Sequence, residues 1–128
     1  MNKLIIDAAN KKIFLMIISN ANIYNITYEN TKINYEKLTI IINDFILSKN
    51  IKITNIGAIY INQGSGSFAG IRNSLSVVKA FNVAKNIDYY CYNLDDFKDE
   101  KDLSYGNIPN LCKKYKIKKN LINPVYLS

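Results

Sequence analysis

Residues 4–28 read LIIDAANKKIFLMIISNANIYNITY, and this stretch decides the fold. Three apolar runs, at 4–6, 13–18 and 23–28, are rich in Ile, Phe and Tyr and are parted by polar breaks at 8–12 and 20–22. Such runs form strands, because branched and aromatic side chains pack well on a pleated surface. The breaks are far shorter than the crossover of about a dozen residues that parallel neighbours require. The chain therefore opens with a three-stranded antiparallel meander.

Downstream the period changes. Over 35–49, Leu38, Ile41, Ile42 and Phe45 fall at helical spacing, with Glu36, Lys37, Asn43 and Asp44 elsewhere on the turn. Ile40, Ile46 and Leu47 widen this apolar arc beyond what one sheet face covers. Residues 56–61 form a fourth strand, reached by a helical crossover and so parallel to an earlier one. A glycine-rich turn at 62–72 leads into a second helix ending near Lys85, with Ile71, Leu75 and Val78 in one apolar row. Ser74, Ser76, Ala80 and Ala84 are small enough to let another helix approach closely. A fifth strand follows at 89–92. The order β-β-β-α-β-α-β is an α/β plan of the ribonuclease-H-like kind, a mixed sheet rather than the alternation of a doubly wound one.

Length and composition bound the function. A chain of 128 residues buries one core, not two. With no His, it lacks Ser-His-Asp and Cys-His nucleophile pairs, HExxH zinc sites and imidazole proton shuttles. Cys91 and Cys112 stand apart without a CxxC pair, which fits a reducing compartment. The first apolar run is too short for a secretory core or a membrane span, so a cytoplasmic protein with no membrane partner is expected. The net charge is +7. Part of it is background, since Asn and Lys recur from end to end, but Lys113, Lys114, Lys116, Lys118 and Lys119 cluster in an acid-free tail. Phosphate-backbone contact is the common use of such clustering. Residues 95–102 are a charge run that reads as a solvated linker, followed by one short helix near 108–115. The expected division is a lobe at 1–97 and a linker and short irregular C-terminal extension at 98–128.

The glycine turn admits three chemistries. Gly64-x-Gly66-x-x-Ala69 matches a dinucleotide fingerprint, with Asp88 nineteen residues on, but a meander precedes it where a parallel βαβ unit should stand. As a phosphate cradle it opens a helix, yet it lacks the Walker lysine. As structure, its glycines permit a sharp strand-to-helix turn. Asp7 is the only acid in the first 28 residues, whereas two-metal phosphodiester cleavage needs several converging carboxylates; Glu29, Glu36 and Asp44 need not converge with it. No metal site is expected. The tyrosines lie mostly in strands, where packing explains them.

Gly64-Ser65-Gly66-Ser67-Phe68-Ala69-Gly70-Ile71-Arg72 resembles the G-P-G-S-F-T-G-[IV]-R signature of the bacterial TsaB (YeaZ) family, agreeing at seven of nine positions. Asp7-Ala8-Ala9 resembles the family's Asp-Thr-Ser after its first strand. Asn34-Tyr35-Glu36-Lys37-Leu38 resembles the His-[ST]-x-x-L that opens its first helix, and Pro124-Val125-Tyr126-Leu127-Ser128 its closing P-x-Y-L-R. The likeness covers 1–97 and the last five residues.

The resemblance implies an actin-like ATPase half domain acting as a non-catalytic subunit. Its machinery makes threonylcarbamoyladenosine beside the anticodon of tRNAs reading A-starting codons. The partner would be the paralogue TsaD, which carries the metal and the transfer chemistry, joined by the ATPase TsaE, with tRNA met indirectly. Relatives carry a second lobe of similar plan; here about 30 residues separate Asp96 from the closing motif, as though that lobe were deleted. Ser65, Ala69, Ala8, Ala9 and Asn34 replace residues expected around a nucleotide cleft, so no cofactor is expected. The helices that pair with TsaD in the family place the partner interface at Leu38, Ile41, Ile42 and Phe45, and at Leu75, Val78, Lys79 and Asn82. The glycine loop, Gly64, Gly66, Ser67, Phe68, Gly70 and Arg72, is the second site, and the five tail lysines are candidates for RNA contact. The rival readings are a residual ATP-binding ATPase using Asp7 and the glycine loop, and a free-standing basic RNA-binding module. Where the paralogue is absent, a second copy of the chain is the other partner considered, and the sequence does not decide between homodimer and heterodimer.

Overall fold

Backbone pairing follows the apolar alternation. In a computed structural model, which describes residues 1–127, β1 (Asn2–Asp7), β2 (Lys12–Ile18) and β3 (Ile23–Glu29) form the expected meander. Ile6 pairs with Leu15 across β1 and β2, and Leu15 with Ile26 across β2 and β3, both antiparallel. The helical segment breaks at Lys37 into α1 (Lys32–Glu36) and α2 (Leu38–Ser48). Lys37 donates its N–H to Asn34 O, closing the first turn before α2 begins. β4 (Ile56–Asn62) then lies parallel to β1. A two-residue β5 (Gly66–Ser67) precedes α3 (Phe68–Lys85). Ser67 Oγ caps α3 by accepting from the Gly70 N–H at 3.4 Å, and Asn86 ends it in the left-handed conformation that Asn tolerates. β6 (Asp88–Tyr92) pairs parallel with β4, giving a sheet ordered β3-β2-β1-β4-β6.

Strand position explains burial. Leu4, Ile5 and Ile6 of central β1 are all fully buried, so that strand needs apolar cover on both faces, while edge strand β3 alternates between exposed and half-buried. The helices α2 and α3 cover one face, resting Ile42, Ile46, Ile71 and Val78 on Leu4, Ile6, Leu15 and Ile59.

The opposite face carries the main departure from the sequence reading. The charge run is exposed at six of its eight residues, 95–102, yet it is anchored to the sheet. Asp95 and Asp96 point to solvent, but Phe97 between the charges is fully buried, its ring 5.8 Å from that of Tyr92. A short helix, α4 (Ile108–Lys114), follows and buries Ile108, Leu111 and Cys112 against Ile5, Ala58 and Tyr60. Composition hid this because one Phe among five acids does the burying. The need for a second apolar layer over parallel strands is what pulls the segment down.

The chain then returns to the sheet. Asn120 donates its N–H to Tyr89 O at 2.7 Å and accepts the Tyr89 N–H on Oδ1 at 3.0 Å, covering the β6 edge. The last strand, β7 (Tyr126–Leu127), pairs parallel with β5. Ser128, the end of the closing motif, lies outside the described residues. Among the described residues no helix is long and apolar enough to cross a membrane.

Candidate functional site

The parallel strands β1, β4 and β6 end in Asp7, Asn62 and Tyr92, which their register sets in a row. Loops at the carboxyl ends of parallel strands are where α/β sheets build sites. Asp7 is 3% exposed. Its Oδ1 accepts the Ala9 N–H at 3.0 Å; its Oδ2 accepts from Asn62 Nδ2 at 3.2 Å and from the Tyr105 hydroxyl at 2.8 Å. Tyr105 reaches it from the C-terminal segment and stacks on Phe14, ring centroids 3.9 Å apart. Burial first, then the Asp7 charge and the hydrogen bond to it, raise the Tyr105 phenol above its ordinary range. Burial likewise raises Tyr92, whose hydroxyl is buried without a hydrogen-bond partner.

One carboxylate flanked by an amide and two neutral phenols does not fit metal-assisted phosphodiester cleavage, which needs several carboxylates on the ions. Glu29 is spent on Lys12, and Glu36 and Asp44 are exposed on helices. Among the described residues no three His, Cys, Asp or Glu side chains gather in a group able to hold a metal. Beside Asp7 a cleft of about 680 Å³ opens among Asn10, Lys11, Lys12, Phe14, Asn30, Ser67 and Tyr105. Tyr105 was not legible as part of this site, since it lies 98 residues from Asp7 in a stretch without pattern.

The glycines of the turn are occupied by the chain itself. A Cβ on Gly64, whose φ is +130°, would lie 2.0 Å from Val125 O; one on Gly66 would lie 2.4 Å from Ala9 O, and one on Gly70 2.0 Å from Ala8 O. The Gly64 N–H is given to Asn62 Oδ1 at 2.9 Å and the Ser67 N–H to Ala9 O at 2.9 Å. The β1–β2 turn and the C-terminal segment therefore lie directly against the three glycines. Phe68 is exposed, with Tyr126 edge-on at 4.7 Å and the Arg72 guanidinium 5.9 Å from its ring.

The residues assigned to the partner interface mostly turn inward. Leu38, Ile42, Phe45, Leu75 and Val78 are each no more than 5% exposed, packed on the sheet. Ile41 is half-buried, and Asn82 is half-buried with its Nδ2 donated to Ile87 O at 3.0 Å. Lys79 alone of the eight is exposed. The strongest apolar row of a helix faces its own sheet, because that burial must be satisfied within one chain before any partner arrives. The outer surface instead presents Ile33, Ile40, Leu47 and Val83, between 58% and 78% exposed. The spacing of seven between Ile40 and Leu47 was the available signal for this second row.

The tail lysines divide. Lys114 pairs with Glu100 and Lys119 with Asp88 at 3.7 Å, while among the described residues Lys113, Lys116 and Lys118 are exposed and in no ion pair. Both thiols are buried, and burial pushes Cys91 and Cys112 up to about 12, so they stay protonated at neutral pH.

No protein-family model matches the sequence, and no curated protein matches it. Solved structures do match. YeaZ from Pseudomonas aeruginosa superposes with a TM-score of 0.66 at 15% identity, over 72% of this chain and 43% of that one. RuvC from Thermus thermophilus superposes with a TM-score of 0.52 at 8% identity over 96% of this chain and 84% of RuvC. RuvC from T. thermophilus in complex with a Holliday junction substrate gives 0.53 at 9% identity over 77% of this chain and 68% of that one. This chain thus spans less than half the length of YeaZ. It has the ribonuclease-H-like fold that YeaZ and RuvC share.

Proposed function

We propose that this chain is a TsaB-type scaffold subunit that does no chemistry itself. It would pair with a TsaD-type catalytic subunit in the threonylcarbamoyladenosine modification of tRNA adenosine next to the anticodon, in the cytoplasm. The observation that carries the reading is the exposed apolar side chains Ile33 on α1, Ile40 and Leu47 on α2 and Val83 on α3, which the folded chain does not bury. Exposed apolar rows of this kind mark protein contacts. Support comes also from the fold shared with YeaZ and from the glycine-loop stretch at the same strand-to-helix turn.

The reading needs no ATP and no metal on this chain: Asp7 accepts from the chain's own donors, and the carbonyls of Val125, Ala9 and Ala8 lie close against the glycines. Metal and transfer chemistry then belong to the paralogue, a TsaE-type ATPase joins the larger complex, and Lys113, Lys116 and Lys118 add positive charge toward tRNA. Co-expression with the host's TsaD-type protein tests it. The two should co-purify, and Ile40→Asp with Leu47→Asp should abolish the pairing while leaving the chain folded. Failure of the unaltered chain to co-purify, or indifference to that double substitution, defeats the reading. Titration with Mg-ATP tests the rival: saturable binding that weakens on Gly66→Val would assign the cleft to a nucleotide instead.

A further inference from the structure

The sheet has one covered edge and one open edge. On the β6 side, Lys119 bridges to Tyr90 and Asn120 takes both backbone groups of Tyr89. On the other side β3 ends the sheet, seven residues long, without Pro or Lys, the residues that usually blunt an edge. Its one charge, Glu29, is already paired with Lys12 of β2.

The direction of the free groups follows from the hairpin. The Ser19 N–H donates to Asn22 O and the Asn30 N–H to Lys11 O, so with this register the bonded pairs between fall on Tyr24, Ile26 and Tyr28. Ile23, Asn25 and Thr27 thus turn their N–H and C=O groups outward, and Glu29 its N–H alone, since its carbonyl already accepts from the Thr31 N–H and Asn34 Nδ2.

We infer that β3 pairs antiparallel with β3 of a second copy of this chain, about a two-fold axis at Ile26. The sequence Ile23-Tyr24-Asn25-Ile26-Thr27-Tyr28-Glu29 is close to a palindrome about that residue. Antiparallel pairing sets Tyr24 opposite Tyr28 of the second copy, Asn25 opposite Thr27, and Ile26 opposite itself. The register is consistent with the bonding: Asn25 and Thr27 fall at hydrogen-bonded positions and Ile26 at a non-bonded one, for about six new backbone bonds. Facing Tyr-Tyr and Ile-Ile pairs stabilise such a junction, and here they would cover the half-buried row Tyr24, Ile26 and Tyr28. Because the β6 edge is closed, each copy offers a single free edge. Pairing stops at a two-fold dimer with a continuous ten-stranded sheet and does not run on into a fibre. Ile40 and Leu47 stand on α2 and not on β3, so different substitutions test this dimer and the proposed paralogue contact.

Sedimentation equilibrium of the full chain tests it. The mass should rise with concentration from 14.6 kDa toward twice that value. Asn25→Lys with Thr27→Lys places lysines opposite one another only in the dimer; both positions are exposed, so circular dichroism should be unchanged while the dimer dissociation constant rises about tenfold. Ile26→Cys should cross-link to a disulfide dimer on oxidation, because facing non-bonded positions bring the Cα atoms to about 4.5 Å, within bridging range, and the native thiols are buried. Ile40→Asp with Leu47→Asp should leave the dimer intact. A single-chain mass at millimolar concentration overturns the inference. So does a dimer indifferent to the paired lysines, or one lost with the helix substitutions.

Discussion

Replacing Tyr105 by Phe removes one oxygen and tests what holds the C-terminal segment to the sheet. The hydroxyl donates at 2.8 Å to the buried Asp7 carboxylate, which keeps two further donors, Ala9 N–H and Asn62 Nδ2. A hydrogen bond to a charged group contributes about 1.5–3 kcal/mol, and the remaining donors moderate the loss, so Tyr105→Phe should cost about 2 kcal/mol. The ring still stacks on Phe14. In urea this moves the unfolding midpoint down by about 1 M with an unchanged slope, and the melting temperature falls by about 8 °C. Tyr105→Ala should cost about 1 kcal/mol more, through the lost stacking. Asp7→Asn closes the cycle: if hydroxyl and carboxylate act on each other, the coupling should be about 1–2 kcal/mol. A Phe variant within about 0.5 kcal/mol of the native chain, or one costing the same with and without Asp7→Asn, would refute the claim that this bond anchors the segment.

Four further outcomes follow from the same geometry. Cys91 and Cys112 should resist thiol reagents in the native state and react only on unfolding, read by timed alkylation and mass spectrometry. Their folded-state values of about 12 lie above the ordinary 9.0, so the folded protein keeps protons that the unfolded chain releases. Their stabilising contribution is complete below pH 9.0 and is lost as pH rises toward 12, at about 1.4 kcal/mol per pH unit for each thiol; a stability that stays level there in urea titrations counts against this burial. Gly64→Ala and Gly70→Ala should each cost about 2 kcal/mol or more, since a methyl meets backbone oxygen at 2.0 Å, whereas Gly106→Ala, which meets nothing within 4 Å, should be within about 0.5 kcal/mol of neutral. Neutralising Lys113, Lys116 and Lys118 should weaken tRNA binding by the assembled complex and flatten its salt dependence by about two to three units in a log–log plot; an unchanged slope removes those lysines from the contact.

The meander and both crossovers were legible because period-two and helical alternation are local signals, and residues 4–28 carry them with almost no interruption. The break at Lys37 was not, since the apolar row runs straight through it and only the Asn34 carbonyl decides where the first turn closes. Which helical row meets the sheet was hidden for a different reason. Ile40, Ile41 and Ile42 are chemically alike, and one is exposed, one half-buried and one fully buried. Residue type says how much apolar surface a helix carries, while orientation depends on the sheet beneath it. The glycine turn was readable as a turn, yet its three glycines are required by Val125, Ala9 and Ala8, contacts that only the folded chain brings together. Tyr105 and Phe97 lay in a stretch whose composition announced solvent, and their roles arise wholly from long-range packing.

That packing explains how so short a chain sustains a mixed sheet. Parallel strands must be dry on both faces, and β1, β4 and β6 are: helices lie over one face, Phe97 and α4 over the other. The antiparallel side has no such requirement, and cover there thins outward from Met16, 9% exposed, through half-buried Phe14 and Ile18 to Ile23, 59% exposed. There the C-terminal segment lays down Tyr105 on Phe14, ring centroids 3.9 Å apart. The surface left over is therefore of two kinds in two places. The outer helical row offers side chains and no free backbone, as suits a helical partner; β3 offers free backbone with a nearly symmetric run of side chains, as suits its own copy. The two proposed contacts use different groups, and blocking one with Ile40→Asp and Leu47→Asp should leave the other measurable.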